Sequence, residues 1–382
     1  MMFLHNRWNF YNPVSLYVGR GCRQELTKHL HGQKILIVAT KRGHKQFEED
    51  EFLMPIVDNN FVTWMNSVQE NPDLDDLQYE INRLSGLFFD AVLAFGGGSA
   101  LDTAKVINVA LTSECANKSL RELIQFSEFQ KNLRPSPLYT IPTTSGTGSE
   151  VTPFATVWDH KNKKKLSLAG PAVWAKVAFV DAALTDSLPL GSTISTGLDA
   201  INQAAESIWN NNANGITLGY ATRALILGFT ALPLLASGQG GQRERDQMAE
   251  ASLLAGLAIS HTRTALCHSI SYPLTAHFAI PHGLACAFTM PAVLRHNLQA
   301  EDGRFAEVAL ALTGSRDLDG LVESFDRLNE SLQVVSRVKE KIPSLDALLA
   351  LKAEMFTPGR ADNNLALVEN LQDILKSSWA AK

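Results

Sequence analysis

Cysteine is scarce in this chain: four residues in 382, at Cys22, Cys115, Cys267 and Cys286, with no Cys-x-x-Cys spacing. That count gives no disulfide framework. Scattered thiols read as reduced and mostly buried, which fits a cytoplasmic compartment. Positive charge is also in short supply. The 34 Lys and Arg are outnumbered by 39 Asp and Glu, for a net charge of −5. The one local basic run, Lys161, Lys163, Lys164 and Lys165, reads as a solvated turn, so no nucleic-acid partner is expected. Long apolar runs are missing too. Nowhere do about 18 uncharged apolar residues follow one another, so no membrane-spanning helix is indicated. Residues 1–12 carry Asn6, Arg7 and Asn9 and no apolar stretch of signal-peptide length. There is no internal repeat and no low-complexity tract.

What is present is an ordinary globular balance, 45% hydrophobic and 19% charged, over a length suited to two or three domains. Short apolar runs at 34–39, 61–65, 91–95, 137–142 and 177–181 alternate with helical patterns. Near-continuous apolar strands with helical spacers predict a parallel sheet covered on both faces. Residues 11–19 add either an edge strand or a separate hairpin. After Leu188-Pro189 the pattern changes. The segments 192–210, 216–236, 243–260 and 265–278 are rich in alanine and leucine and read as packed helices. The expected division is an α/β domain over 1–187 and a helical domain over 188–382.

The first chemical signal is Gly96-Gly97-Gly98-Ser99. It follows the strand-like 91–95 and precedes a helix expected at 100–110, with Asp102 in its first turn. Glycines let the backbone approach a phosphate without Cβ clashes, and the helix start offers free N–H groups and partial positive charge. The Gly-x-Gly-x-x-Gly fingerprint is absent, and a tight turn without a ligand has the same residues. A second loop, 142–150, packs five hydroxyls (Thr143, Thr144, Ser145, Thr147, Ser149) and two glycines into nine residues. It can donate to phosphate or ribose, or simply cap a helix. Two such loops after strands of one sheet favour a dinucleotide. After the strand 34–39 stand Thr40, Lys41 and Arg42, where an acid would bind a ribose 2′-hydroxyl. A small residue flanked by cations favours a 2′-phosphate, so the expected cofactor is NADPH, with NADH also accommodated.

The second signal is a mixed oxygen and nitrogen donor set. Asp199 and Gln203 lie four apart and share a helix face, with Glu206 further along. His261, His268, His277 and His282 follow, His268 in an apolar helical context and His282 at a helix break. A carboxylate, an amide oxygen and two imidazoles suit a divalent first-row metal. Each histidine taken singly also reads as a satisfied core or surface residue.

Together, Gly96-Gly97-Gly98-Ser99-x-x-Asp102-x-x-Lys105, the loop 142–150, Gly197-Leu198-Asp199-Ala200 and Pro281-His282-Gly283 occur in the order found in iron-containing (group III) alcohol dehydrogenases. The chain resembles that family over nearly its whole length, with glycerol dehydrogenase and dehydroquinate synthase as more distant relatives of the fold. The resemblance implies an α/β nucleotide-binding domain plus an all-α metal- and substrate-binding domain, a homodimer, and an active site in the cleft between the domains. The family's metal ligands, one Asp and three His, fall on Asp199, Gln203, His268 and His282, to hold Fe(II) or Zn(II). Gln203 departs from the commoner histidine, and an amide oxygen is a weaker, harder ligand. A further family histidine that assists proton transfer is Tyr272 here. A family lysine that contacts the cofactor falls on Lys165.

These departures resemble the phosphonoacetaldehyde reductase branch of the family. That resemblance implies reduction of a phosphonate-bearing aldehyde, phosphonoacetaldehyde to 2-hydroxyethylphosphonate, and makes Arg263 a candidate anion anchor, since a guanidinium binds phosphonate oxygens bidentately. The implied mechanism is hydride transfer from the nicotinamide with the metal as Lewis acid. Asp199, His268, His282 and Tyr272 then form the catalytic group, with the proton coming from water or Tyr272. Two alternatives stand beside it. One is a metal-free enzyme similar to maleylacetate reductase, or a general alcohol dehydrogenase. The other is a non-catalytic nucleotide-binding sensor or assembly subunit.

Overall fold

The computed structural model describes residues 7–115, 118–125 and 133–381. Among the described residues there are eight strands: β1 (Ser15–Val18), β2 (Lys34–Ala39), β3 (Phe61–Met65), β4 (Ala91–Gly96), β5 (Leu138–Pro142), β6 (Phe154–Asp159), β7 (Lys164–Ala169) and β8 (Val177–Val180). Six of them make one parallel sheet in the order β1-β8-β5-β4-β2-β3. β2, β4, β5 and β8 are buried along almost their whole length. That is why they read as unbroken apolar runs rather than as alternating ones. The N-terminal piece is an edge strand, parallel to β8.

From β2 the chain moves outward to β3, and from β4 it moves the other way through β5 and β8. The order therefore reverses between β2 and β4. Open α/β sheets bind ligands at the carboxyl ends of strands flanking such a reversal. Helices α1 (Lys41–Glu48), α2 (Met54–Asp58), α3 (Leu74–Leu84), α4 (Gly98–Ala110) and α5 (Leu120–Gln125) accompany the sheet. The core on one face gathers Ile35, Ile37, Leu93, Phe95, Ile141 and Phe179.

Two expectations for this region are corrected. α4 starts at Gly98, not at residue 100, and has no acid in its first turn. Gly97 is the extended N-cap (φ −76°, ψ −174°), so Asp102 sits in the second turn. The lysine run is not wholly a turn. Lys164 and Lys165 lie in β7, which pairs antiparallel with β6. The missed signal was a period of two, with Leu166 and Leu168 alternating against polar neighbours.

The helical part contains α6 (Leu190–Ile208), α7 (Gly215–Ala236), α8 (Gln242–Thr262), α9 (Leu266–Phe278) and α10 (His282–Asn297), with shorter helices continuing to Ala380. α7 is long and apolar enough, by length and composition alone, to cross a membrane. It packs against α6 and α8 in a core that includes Leu198, Ile201, Leu225, Leu232 and Phe288. Two compact units result. One comprises Asn12–Thr144 and Gly148–Ser187; the other comprises residues 188–381 with residues 7–11 and Ser145–Thr147.

Candidate active site

In the α/β unit, three neighbouring strands end on the residues singled out for a dinucleotide. Ala39 pairs with Phe95, and Gly96 with Pro142. Thr40, the glycine turn and Thr143-Thr144 therefore emerge side by side. Gly96 has φ +149°, and a Cβ there would meet the Ala100 Cβ at 2.7 Å. Only glycine allows the strand to turn so abruptly into α4. The Thr143 N–H donates to the Gly96 carbonyl at 2.9 Å, tying the second loop to the first. Gly98 opens α4, and Ser99 one residue on accepts a hydrogen bond from the Asn71 N–H at 3.3 Å. Thr40 caps α1 by accepting from the Gly43 N–H at 2.9 Å, with Lys41 exposed beside it.

Asp102 and Lys105 face a different task. The Asp102 carboxylate accepts from the Ser149 hydroxyl at 2.6 Å and from the Thr156 N–H at 2.8 Å. Lys105 is fully buried. Its ammonium donates to the carbonyls of Ser149, Thr152 and Phe154 at 2.5, 2.9 and 3.0 Å. Burial pulls this ammonium down to about 8, while three carbonyls matched to three N–H groups favour its charged form. Buried Glu150 is pushed up to about 7 by burial. These contacts fix the segment that follows the hydroxyl loop. Lys165 lies in the β6–β7 hairpin with its ammonium 5.9 Å from the Trp158 ring. Thr147 groups with the helical unit.

In the helical unit, three helices converge on one cluster. Asp199 and Gln203 stand one turn apart on α6, His268 on α9, and His282 opens α10. The ligand atoms of Asp199, His268, His282 and Cys286 all lie within 4.8 Å of one another. Gly283 explains how α10 comes so close to α6. A Cβ at that position would lie 1.8 Å from the Ser195 carbonyl oxygen and 3.0 Å from the Asp199 nitrogen. The glycine after His282 lets the start of α10 rest on the α6 backbone.

His268 is held from behind. Its Nδ1 is 2.6 Å from Glu206 Oε2, and its Nε2 is 3.3 Å from Asp199 Oδ1. Glu206, fully buried on α6, also accepts the backbone N–H of Ala265 and of His268 itself. A carboxylate on one ring nitrogen leaves the other as the outward donor, the arrangement common to metal-binding histidines. Burial opposes charge on this imidazole, but Cys286, Glu206 and Asp199 hold its pKa well above the ordinary value. His282 Nδ1 is 3.3 Å from the Ser271 hydroxyl, and the Tyr272 ring stacks on His282 at 6.2 Å. Gln203 Oε1 is buried with no hydrogen-bond partner among the described residues. An orphaned amide oxygen one turn from Asp199 fits a cation ligand.

Arg263 lies in the α8–α9 connection and is the C-cap of α8 (φ +61°, ψ 179°). This backbone is rare for a side-chain-bearing residue and costs of order 1–3 kcal/mol. Its side chain is exposed; partial desolvation of the guanidinium, and then the charge of Arg360, push its pKa down.

The family profile of iron-containing alcohol dehydrogenase matches residues 13–182, and the C-terminal profile of the Fe-containing alcohol dehydrogenase family matches residues 193–356. The chain belongs to the iron-containing alcohol dehydrogenase family. As a member it is an oxidoreductase acting on CH–OH groups. Among its relatives, the probable alcohol dehydrogenase EutG of Escherichia coli (strain K12) is 33% identical over 70% of this chain, a match spanning 65% of that protein. The sulfoacetaldehyde reductase of Bilophila wadsworthia (strain 3_1_6) is 32% identical over 86% of this chain and 83% of its own length. The crystal structure of sulfoacetaldehyde reductase from Bifidobacterium kashiwanohense in complex with NAD+ superposes with a TM-score of 0.83 at 27% identity, covering 98% of each chain.

Three residues of this iron-containing alcohol dehydrogenase escaped the sequence reading as parts of the site. Glu206 was visible as the third member of an Asp199-x-x-x-Gln203-x-x-Glu206 face. For Cys286 the one available signal is its i, i+4 spacing from His282, which a core cysteine shares. Lys105 stands in the glycine-turn motif, but nothing in its spacing reveals three distant carbonyls.

Proposed function

We propose that this protein reduces phosphonoacetaldehyde to 2-hydroxyethylphosphonate, with NADPH as the preferred reductant. The observation that supports the substrate class is Arg263 itself, an exposed guanidinium held on a costly left-handed backbone in the α8–α9 connection, with Arg360 as an electrostatic neighbour. A doubly charged oxyanion would bind such a guanidinium bidentately. The sulfoacetaldehyde reductases among its relatives are named for a short aldehyde with an anionic head.

In the proposed reaction the aldehyde carbon accepts hydride from the reduced nicotinamide, and its oxygen takes up a proton. The glycine turn and α4 hold the diphosphate, with Thr143, Thr144, Thr147, Ser149 and Lys165 as further contacts; Thr40 and Lys41 receive the 2′-phosphate. Asp199, Gln203, His268 and His282 would hold a divalent metal, Fe(II) or Zn(II), which when bound would supply Lewis acidity. Glu206 keeps His268 turned so that Nε2 faces inward. Tyr272, stacked on His282, or water delivers the proton.

The test is NADPH oxidation with phosphonoacetaldehyde, sulfoacetaldehyde and acetaldehyde, each repeated with NADH. Phosphonoacetaldehyde should give the highest kcat/KM, and NADPH should exceed NADH. Arg263→Gln should raise KM for the anionic aldehydes about 10- to 100-fold, the worth of a charged hydrogen bond, and leave acetaldehyde unchanged. Equal turnover of all three aldehydes by the wild type would sink the anion reading. Glu206→Gln tests the metal arm separately. Metal affinity, measured against a chromophoric chelator, should fall about 10- to 100-fold.

A further inference from the structure

We propose that Cys286 is itself a ligand of the metal, so that this site is Asp199, His268, His282 and a thiolate, with the Gln203 amide as a weak fifth donor. The inference rests on the metal-binding reading of the Asp199 cluster and adds a sulfur to it. α10 starts at His282, so Cys286 lies one turn on and shares its face. Its Sγ is 3.9 Å from both ring nitrogens of His282. It also belongs to the group of ligand atoms that lie within 4.8 Å of one another.

Ligands about 2.0–2.3 Å from a tetrahedral zinc stand about 3.3–3.8 Å apart. The cluster therefore needs to close by only about 1 Å. Two i, i+4 pairs, Asp199–Gln203 on α6 and His282–Cys286 on α10, face His268 on α9. α6 and α10 pack against each other. A second observation points to a cation at the same place. Gln203 Oε1 is buried, has no hydrogen-bond partner among the described residues and lies one turn from Asp199.

The thiol explains how the chain tolerates glutamine at position 203. An amide oxygen is neutral and weak, so Asp199 and two imidazoles would hold a cation with a single negative charge. Cys286 loses its proton to solvent as the sulfur–metal bond forms, which adds a second negative charge and a soft donor. Thiolate ligation shifts the preference toward Zn(II) and away from harder cations such as Mn(II).

Cobalt(II) reports the difference without any turnover. The full-length protein is stripped with chelator and titrated with Co(II), and its absorption spectrum is recorded. The expected result is a set of visible d–d bands plus an intense sulfur-to-cobalt charge-transfer band in the near ultraviolet. Cys286→Ser should keep the d–d bands and lose the charge-transfer band, while Cys267→Ser, which alters the other buried thiol nearby, should keep both. Thermal melting of the metal-free variants checks that each is folded. Cobalt d–d bands without a charge-transfer band in the wild type, or a band that survives Cys286→Ser, overturns the thiolate ligand and leaves the metal site standing. Absence of any cobalt spectrum overturns the metal site and the thiolate together.

Discussion

Replacing Gly283 with alanine is expected to lower kcat/KM about 100-fold or more, although no functional group is removed. The added Cβ would fall 1.8 Å from the Ser195 carbonyl oxygen and 2.8 Å from its carbon. Non-bonded carbon atoms are comfortable at about 3.5–4.0 Å, so the start of α10 has to retreat from α6 by roughly 1.5 Å. His282 is the residue immediately before Gly283, and Cys286 lies one turn after His282. Both move with the helix, while Asp199 stays on α6. Displacements of about 1 Å in a reacting geometry cost around 100-fold in rate. Metal content should fall with the activity, because the His282 donor separates from Asp199 and His268. Elemental analysis, kcat/KM and far-ultraviolet circular dichroism on one preparation make the check. A folded Gly283→Ala protein with full metal content and full activity would show that the close helix contact does not position the site.

The same glycine shows what a sequence can and cannot disclose. Pro281-His282-Gly283 was legible as a helix break carrying a histidine, because proline and glycine have local meanings. That the glycine is needed for contact with Ser195, far away along the chain, is a tertiary fact with no local trace. The parallel sheet was legible for the opposite reason. Burial on both faces makes each of β2, β4, β5 and β8 a continuous apolar word. The β6–β7 hairpin was lost because its lysines are conspicuous and its alternation is weak. At the cluster, Asp199, Gln203 and Glu206 announce one helix face by spacing alone. Their convergence with His268 and Cys286 depends on three helices crossing, which no spacing encodes. Cys286 was hidden for a further reason: a lone cysteine in an apolar helix has the same pattern as a core residue.

The second large effect is expected at Lys105, whose ammonium holds three backbone carbonyls. Lys105→Met keeps the length and the apolar stem but removes three N–H donors at once. The carbonyls of Ser149, Thr152 and Phe154 lose their partner. An unsatisfied buried acceptor costs about 1–3 kcal/mol, and relief from burying the ammonium offsets part of the sum, so a net loss of about 3 kcal/mol is expected. The loss should depend on pH. Burial raises Glu150 from 4.5 to about 7, and the Lys105 charge opposes that rise. A carboxyl whose folded pKa is raised binds more protons folded than unfolded between those two values, so stability falls as pH climbs through that window. Without Lys105 the Glu150 pKa rises further, and the window extends upward. Wild-type Lys105 adds to the contrast. Its folded pKa of about 8 lies below the ordinary 10.5, so the wild type regains stability as pH rises through that second window. The difference between variant and wild type should therefore widen above about pH 7. Urea unfolding at pH 6, 7 and 8.5 measures it. A pH-independent difference would mean that Lys105 and Glu150 are not coupled, and no difference at all would mean that the three carbonyls find other donors.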